Sequence, residues 1–510
     1  MTIEKLGGAA FLLVILIAVG LQVAWIDEPW DDGFNGLCSG AYYGLTARYF
    51  DAHGFLETGG LPVVFFHAGV PELTLPYPNH PPLPQWLFYG GWTLFGRDEA
   101  SLRVISLLSF LVMLLALRGL VRAEGGRRVA LFVTAAAASF PVALEYYGIV
   151  DAVGLSSCAL LLVIAAWFRR QRRPDRIGLV ILALAALLNG LLDWHGYGVV
   201  IGVTVDALLR PGRRRVALRD ALLVVGGFQA LALGLHFLWM VWAGNRIGVD
   251  LVGAFLDLAG SRPFGDAIDR ARWLESTLRF QREGFGLPML ILAGVGLGVA
   301  AFRRRLLPAD SQLPRCALAL GLSGIVPTFV FWQHAAVHPF WPLPLIPAAA
   351  TLAGCAVQAL GGRATWLRVG VPVALIALCA LNLVEGARLH DGFRTTRHRD
   401  RGAALNALTG PRDLVVTPQG NAADRFYVDA ALAVEVKDRA TFDALLDRLA
   451  KIRADGADLS GIDRLLVLWP ESMSQGFDWV LELPLGKPLV IDWGGRKAAL
   501  VEIDASAWRR

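Results

Sequence analysis

Over its 510 residues the chain is 55% hydrophobic and only 18% charged, a balance too apolar for an ordinary soluble protein and suited to a bilayer. The net charge of +5 does not indicate nucleic-acid binding, because the arginines sit in short clusters between apolar runs and not along one polar face. Five cysteines, Cys38, Cys158, Cys316, Cys355 and Cys379, lack CxxC spacing and suggest neither a disulfide framework nor a zinc site.

A spanning helix needs roughly 20 apolar residues, and candidate runs occur at 8–25, 101–121, 129–144, 153–168, 177–192, 195–209, 220–243, 286–302, 316–332, 340–360 and 367–386, about eleven in all. The first is read as an uncleaved span, because no small-residue cleavage site follows Trp25. The stretch 177–209 also admits one long, broken helix. Alternate loops carry the basic residues: Lys5, then Arg118 to Arg128, Arg169 to Arg176, Arg210 to Arg219, Arg303 to Arg315, and Arg363 with Arg368. The positive-inside rule makes that face, and the N-terminus, cytoplasmic. A miscounted helix would scatter these clusters over both faces.

The loops at 26–100, 145–152, 193–195, 244–285 and 333–339, and everything after 386, then lie outside. Within the first loop, 82–96 is apolar but short and is read as a helix on the outer interface, with Trp86, Tyr89 and Trp92 suited to an aromatic belt. From 387 to 510 the composition becomes that of a soluble protein. Strand-like runs occur at 413–416, 431–436, 465–469, 479–483, 489–491 and 498–503, with a helix from Thr441 to a stop at Gly456. The expectation is an α-helical polytopic membrane domain over 1–386 followed by a small external α/β domain, whose default role is capping or acceptor docking.

Chemistry-bearing residues gather in the outer loops. Asp27, Glu28, Asp31 and Asp32 follow the first span directly, and a carboxylate near a low-dielectric surface can have its basicity tuned. The bland alternative is a solvated loop start. In Tyr77-Pro-Asn-His-Pro-Pro-Leu, two prolines after His80 restrict its backbone and hold the ring in place. Glu145 and Asp151 bracket the second short loop, and ionisable groups at such depth face a wet or paired site unless they simply end a helix in the headgroup layer. Asp193 and His195 admit the same two readings, with helix-end placement preferred. His334 and His338 stand four apart, a spacing able to hold a metal, but the glutamate of a zinc-protease motif is absent and phosphate contact suits the loop better. His236, alone in a span, reads as a packing residue.

The order of these features resembles the GT-C glycosyltransferases of the protein O-mannosyltransferase and lipid A aminoarabinose transferase type. The shared features are outer acids, an xHPPL segment before an apolar helix, Phe95-Gly96 with Ala100-Ser-Leu-Arg103, an acid after the third span, and His-Pro-Phe-Trp before a late span. The resemblance implies a GT-C fold and an inverting enzyme on the periplasmic face of a bacterial inner membrane. Such an enzyme takes a sugar from a polyprenyl-phosphate donor and gives it to an envelope glycan, lipid or protein. It implies no cofactor, and a divalent metal is unsupported. By the same resemblance the catalytic acid falls on Asp32 or Asp31, with Asp27 and Glu28 as fallbacks; in the aminoarabinose transferase register that acid lands on Ser39. His80 takes the place of the His or Lys before Pro-Pro, Asp151 that of the second-loop acid, and His338, with His334, the late-loop position near phosphate. Arg48, Arg103, Arg246 and Glu145 lie near outer helix ends, where the arginines are suited to neutralising a phosphate. A multi-span lipid or sugar transporter is the alternative from a different class, disfavoured because no internal repeat is visible and the polar groups collect at one surface.

Overall fold

Helices account for all the apolar runs. The computed structural model describes residues 3–33, 39–210, 212–261, 269–302, 306–308, 311–360, 367–417, 422–433, 438–456, 458–470, 489–493 and 496–504. Cys38, Arg303 to Arg305, Arg363 and the strand expected at 479–483 lie outside them.

Among the described residues seven helices are long and apolar enough to cross a membrane: Gly7–Ala24, Glu99–Gly125, Ala152–Arg172, Arg214–Ile247, Leu313–Val330, Leu343–Leu360 and Gly370–Asp391. The other expected spans are broken or shorter. The run at 129–144 divides into Arg127–Ser139 and Pro141–Tyr146, because Pro141 lacks the N–H that would continue the helix. Arg176–Leu192 ends at Asp193, and a short 3₁₀ turn at Trp194–Gly198 precedes the next helix, Val199–Leu208. Helix Arg270–Phe285 meets Leu287–Ala301 at a 100° bend, with Gly286 at φ +73° supplying the turn.

Leucines such as Leu13, Leu16, Leu115, Leu184, Leu238 and Leu297 stand exposed on the helix surfaces, as side chains facing lipid would. The interior is instead lined by small residues: Ala135 to Ala138 are fully buried, which lets neighbouring backbones approach closely. At one end of the bundle the basic clusters meet buried acids. Arg172 pairs with Glu124, Arg170 with Asp220 at 3.0 Å, and Arg210 and Arg315 both with Asp206, at 2.8 and 2.9 Å. Loops that the arginine pattern assigns to one face therefore touch one another.

The first loop begins with helix Ser39–His53, continues through a two-stranded antiparallel pair, β1 (Val63–Phe65) and β2 (Leu75–Pro76), and ends in helix Leu83–Phe95. That last helix is the one expected at 82–96, but its aromatic residues do not form an outward belt. Trp86 donates to the Gly60 carbonyl at 2.9 Å, while Trp92 and Tyr89 both donate to Asp51. Their polar tips find partners inside the loop, so the rings turn toward helix Ser39–His53.

After Asp391 the chain forms helix Arg397–Asn406 and a five-stranded mixed sheet ordered β4-β3-β5-β7-β6. The strands are β3 (Leu414–Val416), β4 (Ala431–Ala433), β5 (Leu465–Pro470), β6 (Leu489–Trp493) and β7 (Arg496–Glu502). Helix Arg439–Ala454, opened by a capping box at Asp438 and Thr441, packs Phe442 and Leu449 against the sheet. This α/β unit shares its core with the first loop: Phe65, Val70 and Leu73 pack with Leu414, Val416, Phe442 and Leu465. Short helix Ala422–Tyr427 lays Phe426 against Gly44, where an added Cβ would lie 2.5 Å from the phenyl ring. Gly44→Val is therefore expected to displace helix 422–427 and destabilise the docked unit by about 1–3 kcal/mol, read as faster proteolysis beyond Asp391.

Candidate active site

Several of the singled-out loop side chains converge on one cavity of about 570 Å³ with mainly apolar walls. His80, Asp151, His334 and His338 line it, joined by Asp193, His195, Ser39, Asn79, Gln85, Trp194 and Trp341. Its location follows from helix ends. Asp151, extended at φ −150°, caps helix Ala152–Arg172 by accepting from the Val153 N–H at 2.8 Å. Asp193, extended at φ −170°, closes helix Arg176–Leu192 and accepts from the Trp194 N–H at 2.7 Å. Both acids thus occupy the cap positions that short polar side chains favour.

Asp193 is the electrostatic anchor. It is 2% exposed, and its two oxygens accept from His80 Nδ1 at 2.9 Å and His195 Nδ1 at 2.5 Å. Burial alone would raise its pKa, but the two imidazoles outweigh burial and hold it well below the usual carboxylate range. An ionised carboxylate only accepts, so both histidines donate from Nδ1 and carry Nε2 on the side away from Asp193. For His80, burial pulls the pKa down, and the hydrogen bond and charge of Asp193 overcome it, raising the pKa to about 9. His80, with its side chain 36% exposed, is therefore a fixed cation at neutral pH. Burial raises the Asp151 carboxyl to about 6; the neighbouring Asp193 adds to the rise, while the Val153 N–H, His80 and His195 oppose it. His334 Nδ1 and His338 Nε2 lie 3.2 Å apart, and both rings run nearly parallel to Trp341.

The remaining candidates lie off the cavity. Asp31, 5% exposed, accepts from the Gly33 N–H at 2.8 Å, and burial with the nearby Glu145 charge lifts its pKa to about 6. Asp32 accepts from Arg397 at 2.6 Å and from His398 at 2.9 Å, facing the helix after Asp391. Glu145 and Glu28 bracket His390 at 2.9 and 2.8 Å. Arg103 donates to the carbonyls of Ile26 and Glu28 and lies over Trp30, so it shapes the loop start. Arg48 holds the carbonyls of Phe426 and Val428 and pairs with Asp429. Arg246 stacks over Trp242. His236 stacks on Trp239 within its helix.

Asp193 and His195, read from sequence as a helix end, line the cavity together. The available signal was an Asp and a His only two positions apart just past an apolar run; both end on the cavity because Asp193 is extended and caps the 3₁₀ turn that holds His195. Ser39, where the family register sets the first acid, also lines the cavity, whereas Asp31 and Asp32 do not. Among the described residues no three His, Cys, Asp or Glu side chains gather as a metal-holding group.

Residues 79–240 match the family model described as dolichyl-phosphate-mannose-protein mannosyltransferase, and that segment contains His80, Asp151, Asp193 and His195. None of the curated proteins matches the chain by sequence. The fold is similar to that of ArnT from Cupriavidus metallidurans bound to undecaprenyl phosphate, with TM-score 0.69, 16% identity, 97% of this chain and 98% of that one covered. It is also similar to the oligosaccharyltransferase AglB from Archaeoglobus fulgidus in complex with an inhibitory peptide and a dolichol-phosphate, with TM-score 0.57, 12% identity and coverage of 96% and 74%. The arabinofuranosyltransferase AftD from Mycobacteria matches at TM-score 0.51 and 15% identity, over 97% of this chain and 40% of that one.

Proposed function

We propose that this multi-pass membrane glycosyltransferase of the GT-C fold moves a sugar from a polyprenyl-phosphate donor to a cell-envelope acceptor on the periplasmic face of the inner membrane. The observation that carries the reading is the His80–Asp193–His195 clasp beside Asp151 in a cavity at the outer helix ends. A lipid-linked phosphate sits at headgroup depth, where the His80 cation offers a charge-assisted hydrogen bond to it. His338 and His334, stacked on Trp341, add imidazoles to the cavity wall. Asp151 takes the proton of the acceptor hydroxyl as its oxygen attacks the anomeric carbon; the bond from that carbon to the phosphate oxygen breaks, and polyprenyl phosphate leaves with the electron pair. A single displacement inverts the anomeric configuration. Asp31 and Asp32 then serve the loop, Asp32 by tying it to Arg397 and His398.

The direct test is incubation of the purified full chain with polyprenyl-phosphate sugars and an envelope fraction, following release of polyprenyl phosphate and the anomeric configuration of the product. Retention of configuration, or movement of the lipid across a vesicle membrane with no transfer, would contradict the reading. The pH profile is a second test. Asp151 must be deprotonated, so kcat/KM rises as pH passes about 6. His80 must be protonated, so kcat/KM falls as pH passes about 9. A profile still rising above the upper value would remove the His80 cation from the mechanism.

A further inference from the structure

Four residues on the cavity wall carry buried polar atoms with no hydrogen-bond partner among the described residues: both ends of the Asn79 amide, Oε1 of Gln85, Nε2 of His195 and Nε1 of Trp341. Asn79, Gln85 and His195 are 4%, 9% and 5% exposed. Buried polar groups in folded proteins are nearly always paired, so four such residues around one cavity indicate a ligand that completes them. The backbone under Asn79 is held, since its carbonyl accepts from the Trp194 indole N–H at 2.6 Å. Gln85 sits in the first turn of helix Leu83–Phe95, and the His195 ring is fixed by its bond to Asp193.

The chemistry of these groups narrows what they bind. A side-chain amide offers N–H donors and a carbonyl acceptor at the same time, which matches hydroxyls that both give and take a hydrogen bond. Charged partners for the ligand are otherwise committed. Among the described residues the carboxylates on the wall are Asp151, which serves as base, and Asp193, which is already bound by two imidazoles; the His80 cation is taken by the donor phosphate, and no described Lys or Arg lines the cavity. An ammonium or a carboxylate on the sugar would thus be desolvated without a dedicated counter-charge. Trp194 and Trp341, also on the wall, offer flat apolar faces suited to the C–H side of a sugar ring.

We infer that Asn79, Gln85 and His195 form the sugar-reading subsite, and that it selects an uncharged glycosyl group with neighbouring free hydroxyls over an amino sugar or a uronic acid. This deepens the proposed function and rests on it. The test uses the full-length chain in nanodiscs and measures Kd for undecaprenyl phosphate alone and for its mannosyl, galactosyl, arabinofuranosyl and 4-amino-4-deoxyarabinosyl esters. In the wild type at least one uncharged ester binds about ten-fold more tightly than the amino-sugar ester, and Asn79→Leu and Gln85→Leu each lose about ten-fold for that ester. Affinity for bare undecaprenyl phosphate stays within about two-fold in both variants, which also reports that they are folded. Preference for the amino-sugar ester, absence of discrimination, or unchanged affinity in both variants overturns the subsite while leaving the donor class intact. If the wild type binds neither undecaprenyl phosphate nor any ester, the proposed function fails and the subsite falls with it.

Discussion

Asp151→Asn is expected to reduce kcat for sugar transfer by about 10²–10⁴-fold, the range general-base catalysis contributes, with Kd for polyprenyl phosphate little changed. The substitution keeps the shape and the acceptor that caps the Val153 N–H, so the helix start is retained while proton uptake is lost. Asp31→Asn and Asp32→Asn provide the contrast. Neither acid lines the cavity, and Asp32 is engaged by Arg397 and His398. Their expected effect on kcat is below about ten-fold and falls instead on stability; for Asp32, loss of a partly exposed ion pair with Arg397 costs about 1 kcal/mol or less. If Asp32→Asn abolishes transfer while Asp151→Asn retains it, the base assignment is reversed and the first loop must move to bring Asp32 to the substrate. Measuring kcat separately from donor Kd makes the comparison decisive, because a base lost from the transition state lowers kcat and leaves ground-state binding alone.

Asp193→Asn is expected to disarm the phosphate cradle without touching the donor. The carboxylate raises the His80 pKa to about 9; without that charge, burial dominates and the ring returns toward or below its ordinary value of about 6.5. At pH 8 the cation is then lost, and a charge-assisted hydrogen bond worth about 1.5–3 kcal/mol goes with it, a weakening of donor affinity of roughly 10- to 150-fold. The sign is checkable: the alkaline limb moves down toward neutrality, so the variant recovers affinity as pH falls through about 6.5. His80→Ala loses the same affinity at every pH below about 9, and His80→Lys restores part of it by returning a positive charge. A variant of Asp193 whose alkaline limb does not move would show that the carboxylate holds the turn and nothing more.

The arginine clusters are the part of the architecture that the sequence conveyed best. Their alternation needs only a count of apolar runs and the cost of moving charged loops across a bilayer, and the pairings of Arg170, Arg172, Arg210 and Arg315 bring those loops together at one end. Helix Leu83–Phe95 was legible for a similar local reason, an apolar run led by prolines. The orientation of its aromatic residues was not, because Asp51 and Gly60 are distant partners that only folding of the loop supplies. The same limit applies to the sheet after Asp391, whose strands could be read one by one while its shared core with Phe65, Val70 and Leu73 could not.

The sequence by itself determined that the chain spans a membrane and that its acids and histidines collect in alternate loops, because hydropathy and charge act over a few residues at a time. His80 was singled out for the same kind of reason, two prolines restricting its backbone. Only the tertiary structure decided which of those groups share a cavity. Asp193 lies 113 positions from His80, and no local pattern distinguishes an acid that merely ends a helix from one that clasps a distant imidazole. Asp31 and Asp32, the most conspicuous acids in the sequence, are drawn into the loop by Gly33, Arg397 and His398. Proximity across the helix ends, and the desolvation that comes with it, turned an inventory of polar residues into a site.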